Sequence, residues 1–197
     1  GFDGERPGAG KRIQEFIQAT GIPQGHFSLL QALHNTQMWQ RLKQEGRLLD
    51  GLATVHQGAI MNFVPTRPVE EIVTEYIDAF WNIYEPMPYL KRTFRHFMMM
   101  NGWRGRLMPK ITSKELRLFL AVCWRQGVVR STRWRFCWQM IAIAFTKPRL
   151  FYDYMTMLGV GEHFFNYRHE VKAQLLQQLE NIKQAKQEQV QEPVAVG

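Results

Sequence analysis

The amino end of the chain alternates short apolar runs with helically spaced ones. Gly1-Phe2-Asp3-Gly4-Glu5 reads as a strand end closing in a tight acidic turn, and His26 to Leu33 reads as a second strand. Between them Pro7 and Gly8 open a helix with Ile13, Phe16 and Ile17 on one face; Gly21 ends it and Pro23 bars its continuation. Burying three such side chains would contribute roughly 1.5–3 kcal/mol each, which calls for a sheet beneath them. Asn35 or Thr36 caps the next helix, with Met38, Trp39 and Leu42 as its apolar face and Gly46 as its stop. Strand, helix, strand, helix is the repeating unit of an α/β barrel or parallel sheet.

After residue 46 the pattern changes. Residues 47–67 form an irregular connection with a dense turn signal at Asn62-Phe63-Val64-Pro65-Thr66-Arg67-Pro68. Pro68 then opens a helix whose stripe is Val69, Ile72, Val73, Tyr76 and Phe80, with Glu70 and Glu71 at the positive end of its dipole. Pro86 and Pro88 break the chain, and a further helix runs from about Pro88 to Met100. Asn101 to Ile111 is a Gly-rich basic loop. Thr112 or Ser113 caps a helix to about Val129, and Ser131 starts another that ends before Pro148. A short helix carrying Leu150, Phe151, Tyr154 and Met155 ends at Gly159, and the last helix runs from about Glu162 into Gln184. No internal repeat is visible.

Composition narrows the class. A hydrophobic fraction of 45% in 197 residues supports a sizeable core. The formal net charge of +8 favours anionic partners, or else a basic surface that complements acidic domains elsewhere. Cys123 and Cys137 are too few for a disulfide framework or a four-thiolate site, and read as buried free thiols in a reducing cytoplasm. No run approaches the ~18–20 apolar residues of a membrane span.

Candidate chemistry is sparse. Asp3 and Glu5 lie at a strand's carboxyl end, where barrel enzymes bind ligands, although taken alone turn chemistry with solvent exposure is the favoured reading. Leu30-Gln31-Ala32-Leu33 leads into a capped helix whose amides can hold a ligand, with His34 a solvent-facing neighbour. His163 and His169 are six residues apart, which is not the i, i+4 spacing of a helical metal pair, so neither a metal site nor a catalytic residue is assigned. Two basic clusters are interleaved with aromatics, one over Lys91–Lys110 and one at Arg125, Arg130, Arg133 and Arg135 beside Trp124 and Trp134. Such patterns serve nucleic acid or membrane binding. The favoured reading is simpler: core aromatics, an Arg-rich solvent or interdomain face and a Met98-Met99-Met100 triplet filling an irregular gap.

Taken together, Gly1-Phe2-Asp3-Gly4-Glu5, Thr20-Gly21-Ile22-Pro23, Leu30-Gln31-Ala32-Leu33-x-Asn35-Thr36, Leu42-x-x-Glu45-Gly46-Arg47-Leu48 and Asn62 to Pro68 resemble the carboxyl-terminal part of cobalamin (B12)-binding-domain radical SAM proteins. The branch resembled is the hopanoid-methylase-like one, in which the barrel is followed by a helical domain of unknown function. The resemblance covers residues 1 to about 170. In that family a partial barrel holds a 4Fe-4S cluster and S-adenosylmethionine, whose reductive cleavage yields a 5′-deoxyadenosyl radical, and some members transfer a methyl group through cobalamin. The resemblance implies cofactor-side roles for Gly1, Phe2, Asp3, Gly4 and Glu5, the end of the family's fifth-strand Gly-x-Ile-x-Gly-x-x-Glu motif, with the spacing to Glu5 one residue long. It implies the same for Leu30, Gln31, Ala32 and Leu33 of the sixth strand, whose usual Pro-Gly turn is His34-Asn35 here. Asn62, Phe63, Thr66 and Arg67 become a substrate-side loop. The family's Cys-x-x-x-Cys-x-x-Cys loop is absent from this chain.

The expected fold is therefore α/β then mainly α: the last two β/α units of a radical SAM partial barrel in residues 1–49, an all-helical carboxyl-terminal domain in 50–185, and a disordered tail in 186–197. The chain opens on Gly1 rather than Met and reads as a piece cut inside the first strand. No turnover is expected of it alone, and no cofactor is held by it alone. Its partners would be the cobalamin-binding and barrel portions of the same polypeptide and a small or lipid-like substrate. The parent would be a cytoplasmic radical SAM enzyme transferring methyl groups or modifying a carbon skeleton. The alternatives are a non-catalytic basic module on an anionic surface, nucleic acid or lipid headgroups, and a helical platform for a lipid or isoprenoid at the membrane periphery.

Overall fold

The computed structural model describes residues 1–49, 57–100 and 112–191; the expected loop over 101–111 and the end of the tail, 192–197, lie outside them. The described chain is helical: α1 (Ala9–Thr20), α2 (Gln37–Gln44), α3 (Val69–Ile83), α4 (Pro86–Met99), α5 (Ser113–Trp124), a π-helical turn (Arg125–Val129), α6 (Arg133–Thr146), a 3-10 turn (Pro148–Leu150) and α7 (Phe151–Gln191). It divides into two compact units, one of Gly1–Lys11, His26–Ala79 and His169–Gly197, the other of Arg12–Gly25 and Phe80–Arg168.

Local signals set the helix ends. Thr36 Oγ1 accepts from Trp39 N–H at 3.2 Å and begins α2. Thr112 and Glu115 form a complete capping box on α5, and the Thr112 N–H holds the Glu115 carboxyl below its usual range. Gly21 and Gly46 take positive φ just past α1 and α2, as left-handed helix ends require. Pro86 occupies the first turn of α4, where a missing N–H costs nothing, so this helix begins two residues earlier than Pro88.

The first unit departs from expectation at its strands. Among the described residues there is no strand, only an antiparallel bridge between Leu48 and Phe63. Phe2 to Glu5 is a turn, closed by Glu5 N–H to Phe2 C=O at 3.0 Å with Gly4 at φ +80°. His26 to Leu33 pairs with side chains instead of a neighbouring strand. Tyr76 Oη lies 3.2 Å from the Phe27 carbonyl and 2.8 Å from that of Gln57. Asn62 accepts from Ala32 N–H at 2.8 Å and donates to Ala32 C=O at 3.0 Å. One amide side chain thus exchanges both bonds that an opposing strand residue would supply. The core here is Leu29, Ala32, Leu42, Ile60, Met61 and Phe63 with Ile72, Val73 and Tyr76 of α3 and Val171, Leu175 and Leu179 of α7. Gln178 pins the connection, accepting from Ile60 N–H at 3.0 Å and donating to Gly58 C=O at 2.7 Å.

The second unit is aromatic. Tyr84 stacks on Phe164 (centroids 4.2 Å apart, 11° between planes), and Tyr89 meets Phe165 edge-on at 5.4 Å. Burial raises the Tyr84 hydroxyl to about 12 despite its bond to Gly25 C=O. Arg92 is buried, its Nη2 donating to Pro23 C=O at 3.1 Å and to Ile83 C=O at 3.0 Å, the last carbonyl of α3. A cation at that negative helix end is favourable, which accounts for a buried arginine where a solvent or interdomain face was expected. Arg130 binds Glu162 in a bidentate pair, donating from Nε at 2.7 Å and Nη2 at 3.0 Å, and Glu162 is itself buried.

Four further expectations are corrected. Of the α1 stripe only Ile17 is buried; Ile13 and Phe16 are exposed, since no sheet lies beneath them among the described residues. Gly159 does not end a helix: α7 is one helix of 41 residues. Gly159 and Gly161 keep negative φ, and Gly161 admits Tyr89, whose Cε1 would lie 2.5 Å from an added Cβ. α7 also runs past Gln184 to Gln191, through a Gln-, Lys-, Glu- and Ala-rich stretch of good helix formers. The two cysteines are free and half-buried rather than buried, with the Cys123 thiol pushed up by burial and then by Cys137.

Candidate functional site

The first unit brings together all three segments singled out in the sequence. Asn62 joins the 62–67 loop to Ala32, as described above. Gln31 Nε2 donates to Ile60 C=O at 2.5 Å. Gly1 lies against the other two: an added Cβ would meet Met61 Sδ at 2.7 Å and Leu30 Cβ at 3.5 Å. A side chain there would force the packing apart, so glycine fits this position on steric grounds.

Two ion-pair groups fix the polar side of this junction. Asp3 accepts from Arg47 at 2.8 and 3.1 Å and from Arg41 at 2.9 Å. Arg47 also reaches Glu45 at 2.8 Å and, through Nε, the Val64 carbonyl at 2.8 Å. The bond from Arg47 holds the Asp3 carboxyl below its ordinary value, and the Asp3 and Glu45 bonds push the Arg47 guanidinium up. Arg67 donates to Glu75 at 2.7 Å, with Glu71 at 3.4 Å and Glu5 at 4.0 Å. Glu75 in turn caps α1 from a distance, accepting from Gly8 N–H at 2.9 Å and Ala9 N–H at 3.1 Å. Burial pushes the Glu75 carboxyl up, but Arg67 and these two amides outweigh it and leave the group below its usual range. The Glu75 bond likewise raises Arg67.

Some polar capacity at the junction is unused. Gln31 Oε1 and Arg67 Nε and Nη1 are buried without a hydrogen-bond partner. An acceptor and a pair of cationic donors are thus held ready by groups whose other atoms are committed. Phe63 is buried in the core, whereas Phe2, Asp3, Gly4, Leu33 and Thr66 are exposed. His34 is exposed and packs on Trp39 at 4.4 Å. Among the described residues no group of three or more His, Cys, Asp and Glu is placed to hold a metal ion. Sequence reading missed Arg41, Arg47, Glu75 and Gln178, whose partners lie 38 to 120 residues away.

The model of a domain of unknown function, DUF4070, matches residues 36–177. The chain belongs to the DUF4070 family. The match takes in the Asn62–Arg67 loop and most of the helices, and leaves Gly1 to Leu33 outside it. Along 98% of its length the DUF4070 chain is 42% identical to an uncharacterized methyltransferase, sll1242, of Synechocystis sp. (strain ATCC 27184 / PCC 6803 / Kazusa), and it spans 37% of that relative. It is also 30% identical over 109 residues, 55% of the chain, to the hopanoid C-2 methylase of Rhodopseudomonas palustris (strain TIE-1), spanning 19% of that protein. No solved structure matches the chain.

Proposed function

We propose that this chain is the carboxyl-terminal part of a methyltransferase of the cobalamin-binding radical SAM type. In this reading residues 1–49 are the end of the barrel and the later helices close it on the substrate side. The observation that carries the reading is the junction itself. Segments that resemble two strand ends of the barrel and a substrate loop are far apart in sequence, yet are tied by Asn62 to Ala32, by Gly1 against Met61 and Leu30, and by Arg67 near Glu5. Family membership and likeness to two proteins named as methyl-transferring enzymes support it.

The residues present suit S-adenosylmethionine and do not suit an iron–sulfur cluster. The orphaned Gln31 acceptor suits a hydroxyl or amine of S-adenosylmethionine, and the orphaned Arg67 donors suit a carboxylate or carbonyl oxygen of a ligand beside it. S-adenosylmethionine supplies the methyl group and the radical precursor in such proteins. This chain's part is to bind and orient: Gly1 to Glu5 and Leu30 to Leu33 on the cofactor side, Asn62, Phe63, Thr66 and Arg67 on the substrate side. Cys123 and Cys137 lie on α5 and α6 and are too few to ligate a cluster, so in this reading an iron–sulfur cluster falls to other portions of the polypeptide.

The test is S-adenosylmethionine affinity in the complete polypeptide, by equilibrium dialysis. Gln31→Ala removes the orphaned acceptor on the cofactor side, and weakening of at least about fivefold is expected, the worth of one net hydrogen bond. Unchanged affinity in that variant would remove this junction from the cofactor side.

A further inference from the structure

The second unit carries an apolar surface that its own core does not use. On α6, Phe136, Gln139 and Ile143 are buried, while Trp134, Trp138, Ile141 and Phe145 sit at i, i+4, i+7 and i+11 on the outward side. Phe145 is 84% and Trp134 78% exposed. α5 repeats the arrangement with Leu116, Leu120 and Trp124, and the π-helical turn adds Val128 and Val129, all exposed. The aromatics beside the second basic cluster are thus not core residues, contrary to expectation, and Met98 and Met99 of α4 are exposed as well. A helix apolar on both faces needs something apolar on each, and an uncovered apolar run of this length marks an interaction surface.

Charge selects the partner. Between Thr112 and Lys147 there are seven Lys and Arg against one acid, Glu115, a net of six positive charges out of the chain's eight. Glu115 is spent on the capping box and on the Tyr152 hydroxyl at 2.8 Å. Lys114, Arg117, Arg125 and Arg133 are exposed among the apolar side chains. Aliphatic residues make up much of the surface, and these do not stack on bases as nucleic-acid platforms require. Exposed tryptophan, aliphatic side chains and arginine on these successive elements match the interface of an anionic bilayer, apolar groups entering the acyl boundary and guanidinium groups meeting phosphates. No helix among the described residues is long and apolar enough to cross a membrane, so this surface would lie on the bilayer. We infer that α5, the π-helical turn and α6 form a peripheral docking surface for anionic lipid membranes. The inference stands on this unit alone and goes beyond the cofactor assignment.

The complete polypeptide should co-sediment with phosphatidylcholine vesicles containing about 30 mol% phosphatidylglycerol, at least about tenfold more tightly than with phosphatidylcholine alone. Its tryptophan emission should shift to the blue on binding. Trp134→Ser with Phe145→Ser should weaken partitioning by about tenfold or more on both vesicles, since each side chain leaves the acyl boundary. Arg125→Glu with Arg133→Glu should weaken it by about 25-fold or more on the anionic vesicles, since each near-surface arginine is worth roughly fivefold. These are exposed positions, and unchanged melting temperatures would exclude misfolding. Failure to sediment with either vesicle would overturn the inference. So would binding untouched by both double variants, tryptophans already shielded from acrylamide without vesicles, or oligonucleotide binding in place of vesicle binding. S-adenosylmethionine affinity in the same preparations reports separately on the cofactor reading.

Discussion

Asn62→Ala offers the sharpest test of how the first unit is held. The Asn62 amide is the partner of both polar backbone groups of Ala32, at 2.8 and 3.0 Å, and both residues are buried. Truncation leaves an N–H and a C=O without partners. Each orphaned buried group costs about 1–3 kcal/mol. Water entering the vacated space would recover part of this, so a net loss of about 2–4 kcal/mol is expected. Asn62→Asp keeps the acceptor but sets a carboxylate against the Ala32 carbonyl, and should destabilise at least as much. The assay is urea unfolding with an unchanged m-value, paired with hydrogen exchange at the Ala32 amide. That amide should lose protection by at least about 30-fold in Asn62→Ala, the equivalent of 2 kcal/mol. A loss under about 0.5 kcal/mol with the Ala32 amide still protected would refute the idea that one side chain stands in for a strand.

Gly161→Ala should destabilise by about 1–3 kcal/mol despite the better helix propensity of alanine, because the new methyl would meet Tyr89 Cε1 at 2.5 Å; thermal melting of the variant checks this. Tyr89→Leu in the same background should recover most of the loss. Arg130→Met leaves the Glu162 carboxylate buried without its bidentate partner and should cost about 3–5 kcal/mol, whereas Arg130→Met with Glu162→Leu should recover much of it in a double-mutant cycle. Acid stability should report the two lowered carboxyls. Asp3 and Glu75 titrate below their unfolded values, so the unfolded state binds more protons. Their contribution is therefore present above about pH 4–4.5 and is lost as pH falls through the lowered values. Asp3→Asn should flatten that acid limb in melts recorded across the range, and an unchanged slope would contradict the pairing.

Much of the local architecture was legible because it is written locally. Thr36 and Thr112 as caps, Gly21 and Gly46 as stops, and the Ile72, Val73, Tyr76, Phe80 stripe all depend on residues within a turn or two of one another. The extended reading of His26 to Leu33 failed for a different reason. Its alternation reports burial, not what pairs with the backbone, and the partners are side chains at positions 62 and 76. Gly159 misled because a glycine inside a long helix and one that ends a helix look alike in sequence. Trp124 and Trp134 were read as core because spacing gives a face without saying whether that face is covered. Of the candidate site, the three segments were visible in the sequence, but their convergence was not. It rests on contacts such as Asn62 to Ala32 and Arg47 to Asp3, at separations of 30 and 44 residues that no periodicity encodes.

The proposal that this chain completes a radical SAM methyltransferase is tested by iron content and S-adenosylmethionine turnover of the complete, anaerobically reconstituted polypeptide. About four irons per polypeptide are expected, with reductive cleavage of S-adenosylmethionine to 5′-deoxyadenosine. A complete polypeptide that takes up no iron and leaves S-adenosylmethionine intact under reduction would contradict it.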